Sequence, residues 1–143
     1  MIRYLLDTNG VADVIFNRRN VDVRAVLTRH DGHLIGTATP VIAELLGGVE
    51  YSASRERNLI RLNRKLSMFR LWPFTLEVAR EYGKLYAELR RTGNPMQEID
   101  MMVAATARTL SDCVVVTCDS DLLRVPGLKV ENWAVQIRDP NDS

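Results

Sequence analysis

Four carboxylates stand where this chain could do chemistry: Asp7, Glu44, Asp100 and Asp119. Asp7 and Asp119 each come straight after an apolar run, Tyr4-Leu5-Leu6 in one case and Val114-Val115-Val116-Thr117 in the other. Asp100 falls in the first turn of a helix-like segment of small and apolar residues, and Glu44 falls among Val41, Ile42, Leu45 and Leu46. Taken singly, an acid early in a helix is well explained as a partner of the helix dipole. As a set, carboxylates in apolar surroundings, without a lysine or arginine beside each, repel one another and resist ionising together. A divalent cation resolves that conflict, and an all-oxygen donor set suits Mg²⁺ or Mn²⁺. The two histidines, His30 and His33, and the two cysteines have no zinc-ligand spacing. An acidic Mg²⁺ site activates water and steadies the leaving oxygen in phosphodiester cleavage. Asp7, Asp100 and Asp119 are the main candidate ligands; Glu44 either binds the ion, directly or through water, or orients the attacking water. Thr8, Asn9 and Thr117 are placed to hold the carboxylates by hydrogen bonds. Asp121, on the short turn after Asp119, is a fifth acid with a structural or supporting role, and Glu98 faces away as a solvated helix-start acid.

These groups meet only if the chain folds as strands alternating with helices, which predicts a parallel sheet covered on both faces. Functional groups in such folds sit at the carboxyl ends of the strands. Residues 10–30 have helical spacing, with a break near Asn17–Asn20 and Val23, Val26 and Leu27 facing a core. A strand is expected over His33–Thr37, followed by a helix with Thr39 as N-cap, Pro40 at its first position and an inward face of Val41, Ile42, Leu45, Leu46 and Val49. An amphipathic helix follows over residues 54–69, with Leu59, Leu62, Leu66 and Phe69 as its apolar stripe. Leu71–Phe74 reads as an edge strand because of Pro73. Helices are expected from Leu76 to Arg91, stopped by Thr92-Gly93-Asn94-Pro95, and from Glu98 to Leu110. Val114–Thr117 is the clearest strand. A short helical turn packing Leu122 and Leu123 comes next, then a Pro126-Gly127 turn and a last strand over Leu128–Asn132.

The constellation resembles the PIN-domain nucleases, most closely the VapC-type toxins of toxin–antitoxin pairs. The resemblance runs through Leu-Asp-Thr-Asn at residues 6–9, Ile-Ala-Glu-Leu-Leu-Gly-Gly around Glu44 and Ile-Asp-Met-Met-Val-Ala-Ala-Thr-Ala around Asp100. It continues through Val-Thr-Cys-Asp-Ser-Asp-Leu at 116–122 and Val-Pro-Gly-Leu-Lys-Val-Glu-Asn-Trp at 125–133. It implies a three-layer α/β/α fold and a metal-dependent endoribonuclease acting on structured RNA such as tRNA or rRNA. It also implies a homodimer inhibited by a cognate VapB-type antitoxin whose C-terminal segment covers the site. Carried over by position, the acidic quartet is Asp7, Glu44, Asp100 and Asp119. Gly10 departs from the family's β-branched or apolar residue, which loosens the start of the first helix, and Leu122 replaces a phenylalanine.

The 143 residues make one domain, 1–143, long enough for a real core. Cys113 and Cys118 sit on one strand and its exit, too few and too close for a disulfide framework. No leader-like or membrane-length apolar run is present, so a soluble protein of a reducing compartment, the cytoplasm, is expected. Nearly all the basic residues are arginine, the lysines being Lys65, Lys84 and Lys129. Arg57, Arg61, Arg64 and Lys65, flanked by Arg55 and Arg70, form a stripe that fits an RNA-backbone track, and equally a solvated face or an antitoxin-binding surface. Tyr82 and Tyr86 belong to the core or a dimer interface, Trp72 and Trp133 to the core. A phosphoryl-accepting receiver would need a lysine after a strand at the acidic edge. A haloacid-dehalogenase-type phosphatase would need a second aspartate where Asn9 stands. What competes with the nuclease is a degenerate PIN module that binds RNA or a protein partner without cutting.

Overall fold

The computed structural model describes residues 1–16 and 34–133. Its strands are β1 (Arg3–Leu6), β2 (Leu34–Ala38), β3 (Arg70–Trp72), β4 (Cys113–Val116) and β5 (Lys129–Glu131). Its helices are α1 (Thr8–Ile15), α2 (Thr39–Tyr51), α3 (Arg55–Leu66), α4 (Leu76–Arg91) and α5 (Glu98–Thr109), with a 3₁₀ turn at Ser120–Arg124. The strands form one sheet in the order β3-β2-β1-β4-β5, and every neighbouring pair is parallel. Parallel strands demand crossovers, and crossovers are right-handed. The chain steps from β1 to β2 to β3 in one direction and then jumps back across β1 to β4, so its helices cover opposite faces in a three-layer α/β/α arrangement. The direction reverses between β1 and β4. A crevice opens outside the carboxyl ends of the strands at such a reversal.

The central strands carry the core because they are covered on both sides. Tyr4, Leu5 and Leu6 of β1 and Val114, Val115 and Val116 of β4 are all buried, joined by Val11, Ile15, Val41, Leu62, Leu85, Val103 and Leu122. Tyr4 also packs on buried Trp133, ring centroids 5.4 Å apart. Helix α4 has the bounds its sequence predicts. The Thr75 side chain accepts from the Val78 N–H at its start. At its end Gly93 (φ +72°) lets its own N–H reach Arg90 O and that of Asn94 reach Leu89 O, which satisfies the last carbonyls in a Schellman arrangement. Helix α5 buries Met101 and every residue from Val103 to Ala107, as its small side chains require.

Several expectations are corrected. Helix α1 begins at Thr8, two residues early, with Asp7 as its cap; the remainder expected to 30, with the break at Asn17–Asn20, Val23, Val26, Leu27, His30 and His33, lies outside the described residues. Thr39 is the first residue of α2, not its cap: β2 runs straight into the helix from Ala38, and the Thr39 hydroxyl accepts the Phe74 N–H instead, at 3.2 Å. β3 is an edge strand that stops before Pro73. Leu122 is buried but Leu123 is exposed, because a five-residue 3₁₀ turn presents only one of two consecutive side chains to the core. Neither cysteine is in a disulfide. Among the described residues, no helix is long and apolar enough to cross a membrane.

Candidate active site

Asp7 leaves β1 at the reversal point and is buried, as is Thr117, the residue that follows β4. One Asp7 oxygen accepts from the Gly10 N–H at 2.7 Å, which caps α1; the other accepts from the Thr117 hydroxyl. The Thr117 oxygen in turn accepts the Asp119 N–H at 2.9 Å, so a single hydroxyl sets the positions of two acids. Asp119 caps the 3₁₀ turn, accepting the Asp121 N–H at 2.9 Å. Asp100, on the first turn of α5, closes the group: carboxylate oxygens of Asp100, Asp119 and Asp121 lie within 4.8 Å of one another.

The electrostatics tie in the remaining members. Burial pushes the Asp100 carboxyl up to about 6, with Asp119, Asp7 and Glu44 adding to the rise. Asp7 is also raised, first by burial, against the lowering hydrogen bonds from Thr117 and Gly10, with Asp119 and Asp13 contributing repulsion. All four acids of the quartet therefore lie within one field. They differ in exposure: Asp7 is buried, Asp100 and Asp119 half-buried, Glu44 exposed. The expectation that Glu44 shares the apolar surroundings is thus corrected. Val41, Ile42 and Leu45 take the inner face of α2, which turns Glu44 outward. Glu44 and Thr8 open a groove of about 600 Å³ that continues past Ala12 and Phe16 to Arg61.

The supporting residues divide. Thr117 holds Asp7 as anticipated, whereas Thr8 and Asn9 make no hydrogen bond to a carboxylate among the described residues, and Asn9 is exposed. The Gly10 backbone supplies the second bond to Asp7, a contact no side-chain pattern announces. A Cβ at Gly10 would lie 3.1 Å from that Asp7 oxygen, so the glycine fits tightly against the acid it caps. Asp121 stands with Asp100 and Asp119 in the cluster, and it is paired with Arg124. The basic stripe is split. Lys65 donates to the Val14 carbonyl at 3.3 Å and Arg61 lies over the Phe16 ring at 5.3 Å, both turned toward α1, while Arg57 and Arg64 are exposed.

Three half-buried carboxylates converging beside a fourth, buried one form a hard-oxygen donor set that fits Mg²⁺ or Mn²⁺. Among the described residues the only ion pair made by Asp7, Glu44, Asp100, Asp119 or Asp121 is that of Asp121 with Arg124, which leaves a cation as the natural complement of the rest.

The profile of the PIN domain matches residues 4–128. The chain is 30% identical over 134 residues to the tRNA(fMet)-specific endonuclease VapC of Shigella flexneri, covering 94% of this chain and 100% of that protein. It is 32% identical over 133 residues to ribonuclease VapC2 of Haemophilus influenzae, with 93% and 99% covered. In structure it is similar to DNA-bound VapBC from Salmonella typhimurium, with a TM-score of 0.82 at 29% identity over 93% of this chain and 99% of that one. It is likewise similar to VapBC2 from Rickettsia felis bound to a fragment of promoter DNA, with a TM-score of 0.84 at 27% identity over 92% and 99%. Fold, acidic crevice and sequence agree, and the chain belongs to the PIN domain family, in its VapC branch.

Proposed function

We propose that this protein is a divalent-metal-dependent endoribonuclease, the toxin of a VapBC-type pair, which hydrolyses phosphodiester bonds in structured RNA such as tRNA or rRNA. The observation that carries the reading is the convergence of Asp7, Asp100 and Asp119, with Glu44 at the rim, at the carboxyl ends of β1 and β4. Asp7, Asp100 and Asp119 hold the ion. When bound, Mg²⁺ or Mn²⁺ supplies Lewis-acid stabilisation of the phosphoryl oxygens and lowers the pKa of water. Glu44, exposed and facing the groove, is the group free to accept a proton from the attacking water. Thr117 keeps Asp7 aimed, and its hydrogen bond opposes the burial that raises the Asp7 carboxyl. Arg61, at the end of the same groove, and Arg57, Arg64 and Lys65 on the same helix offer the RNA backbone a cationic flank, with binding that weakens as salt rises. The relatives named as an RNA endonuclease and a ribonuclease support the substrate class, and the VapBC complexes among the similar structures support a VapB-type antitoxin as partner. A homodimer is supported by the partly exposed row of Phe74, Tyr82 and Tyr86, in which Tyr82 and Tyr86 stack at 6.3 Å.

The test is cleavage of total RNA by antitoxin-free protein in Mg²⁺ or Mn²⁺, with EDTA and an Asp100→Asn preparation as controls. Discrete fragments that vanish in both controls are expected, and mapping their ends names the target. Retention of tRNA or rRNA by folded, metal-loaded protein without any cutting would instead favour the non-cleaving PIN module. A finer probe is Thr117. Thr117→Val removes both the bond to Asp7 and the anchor of the Asp119 N–H, and is expected to lower kcat/KM by roughly 10–100-fold, the usual effect of groups that orient metal ligands. Thr117→Ser, which keeps the hydroxyl, should stay within a few-fold of wild type; equal losses in both variants would show that packing of the methyl group, not the hydroxyl, matters.

A further inference from the structure

We infer that Arg124 is a resident counter-ion for Asp121 that competes with the divalent ion and thereby sets the metal affinity of the site. The inference rests on the metal-dependent reading above and adds a residue to it. Asp119, Asp121 and Arg124 all belong to one 3₁₀ turn and its cap. In a 3₁₀ turn the side chains at i and i+3 eclipse, and that spacing places the Arg124 guanidinium on a carboxylate oxygen of Asp121. Asp121 is also the acid that comes within 4.8 Å of Asp100 and Asp119. One carboxylate is thus shared between a fixed cation of the chain and the place where a mobile cation would bind.

Asp7 has its oxygens taken by a backbone amide and a hydroxyl, and Asp119 caps the turn. Neither arrangement supplies a positive charge. Among the described residues Asp121 is the one acid of the site neutralised by one, and its pair is half exposed, with side chains 47% and 35% accessible. Such a pair is weak enough for a divalent ion to displace, yet an ion that takes the Asp121 oxygen held by Arg124 must first release the guanidinium. An affinity reduced by the fraction of sites in the competent state follows directly. For a pair of ordinary surface strength that reduction is about fivefold. The arrangement gives the acidic turn a counter-ion of its own and moves metal occupancy to higher free-metal concentrations without changing the shape of the binding curve.

The experiment measures Mn²⁺ binding to the intact chain, from the loss of the free-Mn²⁺ electron paramagnetic resonance signal, for wild type, Arg124→Gln, Asp121→Asn and the double variant. Arg124→Gln is expected to bind Mn²⁺ about fivefold more tightly than wild type, Asp121→Asn more weakly, and Arg124→Gln to change affinity by less than about twofold once Asp121 is asparagine. Arg124→Lys, which restores the charge, should return the affinity toward wild type. Equal tightening in both backgrounds would overturn the inference, because Arg124 would then act as a diffuse charge and not through Asp121. An unchanged affinity in Arg124→Gln would overturn it as well. Failure of the wild-type protein itself to bind Mn²⁺ would be the separate failure of the metal-dependent reading, and would remove this inference with it.

Discussion

Asp100→Asn is expected to lower kcat/KM for RNA cleavage by at least about 10³-fold, as loss of a metal ligand does, while making the metal-free protein more stable at pH 7. The two effects share one cause. Asp100 is half-buried on the first turn of α5, and it makes no hydrogen bond or ion pair with any described residue. Burial, and then Asp119, Asp7 and Glu44, carry its carboxyl up to about 6. A carboxyl whose folded pKa lies above its unfolded value near 4 binds its proton more tightly when folded. Stability from this group is therefore greatest at low pH and is lost as pH rises from about 4 through about 6. Above that window the charged form is carried at a constant penalty. At face value the shift corresponds to roughly 3 kcal/mol, and screening of a half-exposed group reduces this to roughly 1 kcal/mol, or about 2–4 °C in Tm.

Asparagine keeps the shape and removes the charge, so in EDTA the variant should melt slightly above wild type at pH 7 and converge with it below about pH 4. Mn²⁺ should reverse the order at pH 7 by stabilising wild type far more than the variant. Calorimetry with and without the ion, beside the cleavage assay, checks both halves. A variant that cuts within tenfold of wild type would remove Asp100 from the metal site. One that melts lower in EDTA at pH 7 would show that Asp100 has a structural partner.

What could be seen in the sequence follows from what local spacing encodes. A run such as Tyr4-Leu5-Leu6 ending in Asp7 states both a buried strand and an acid at its carboxyl end, so the crevice between β1 and β4 was legible from two such runs. Helix α4 was legible because Val78, Tyr82, Leu85, Tyr86 and Leu89 keep helical spacing up to the Thr92-Gly93-Asn94-Pro95 stop, where a left-handed Gly93 ends it. Illegible were the contacts that one segment makes with another chosen only by the fold. The Thr39 hydroxyl was expected to cap its own helix, but the Phe74 N–H, 35 residues on, claims it. Gly10 gives Asp7 a backbone amide, which leaves no trace in a side-chain pattern. Glu44 sits among apolar letters, and only the direction in which α2 packs its inner face decides that it looks outward. The 3₁₀ pitch after Asp119 stacks Arg124 over Asp121 and leaves Leu123 exposed, and the letters alone do not separate that pitch from an α-helical one.

Gly36→Ala should produce the opposite signature, a large loss of stability with loss of activity only as its consequence. Gly36 pairs with Arg70 across β2 and β3. A Cβ at this position would lie 2.1 Å from the Arg70 carbonyl oxygen and 2.8 Å from its carbonyl carbon. Those are backbone atoms, so no rotamer change can relieve the overlap, and the edge strand itself must move away. Movement of β3 unseats Trp72 and Phe69, both buried in the core. A cost of about 3 kcal/mol is expected for an overpacking of this kind, equivalent to roughly 10 °C in Tm. Gly83→Ala is the internal control: it lies inside α4 with nothing within 4 Å of its Cβ position, and helix propensity alone should raise stability by about 0.5–1 kcal/mol. The strain would reach the acids through β2. Thr37, the next residue, donates its hydroxyl to the Leu6 carbonyl at 2.6 Å, immediately before Asp7, and Ala38 leads into the helix that carries Glu44. Gly36→Ala protein that remains folded should therefore keep its cluster of acids but hold Glu44 less firmly against them, so that activity recovers at low temperature as the fold does. Melting within two or three degrees of wild type would mean that β3 is not held as closely to β2 as this pairing requires. A folded variant as inactive as Asp100→Asn at every temperature would mean that β2 positions the chemistry more directly than through Thr37 and Glu44.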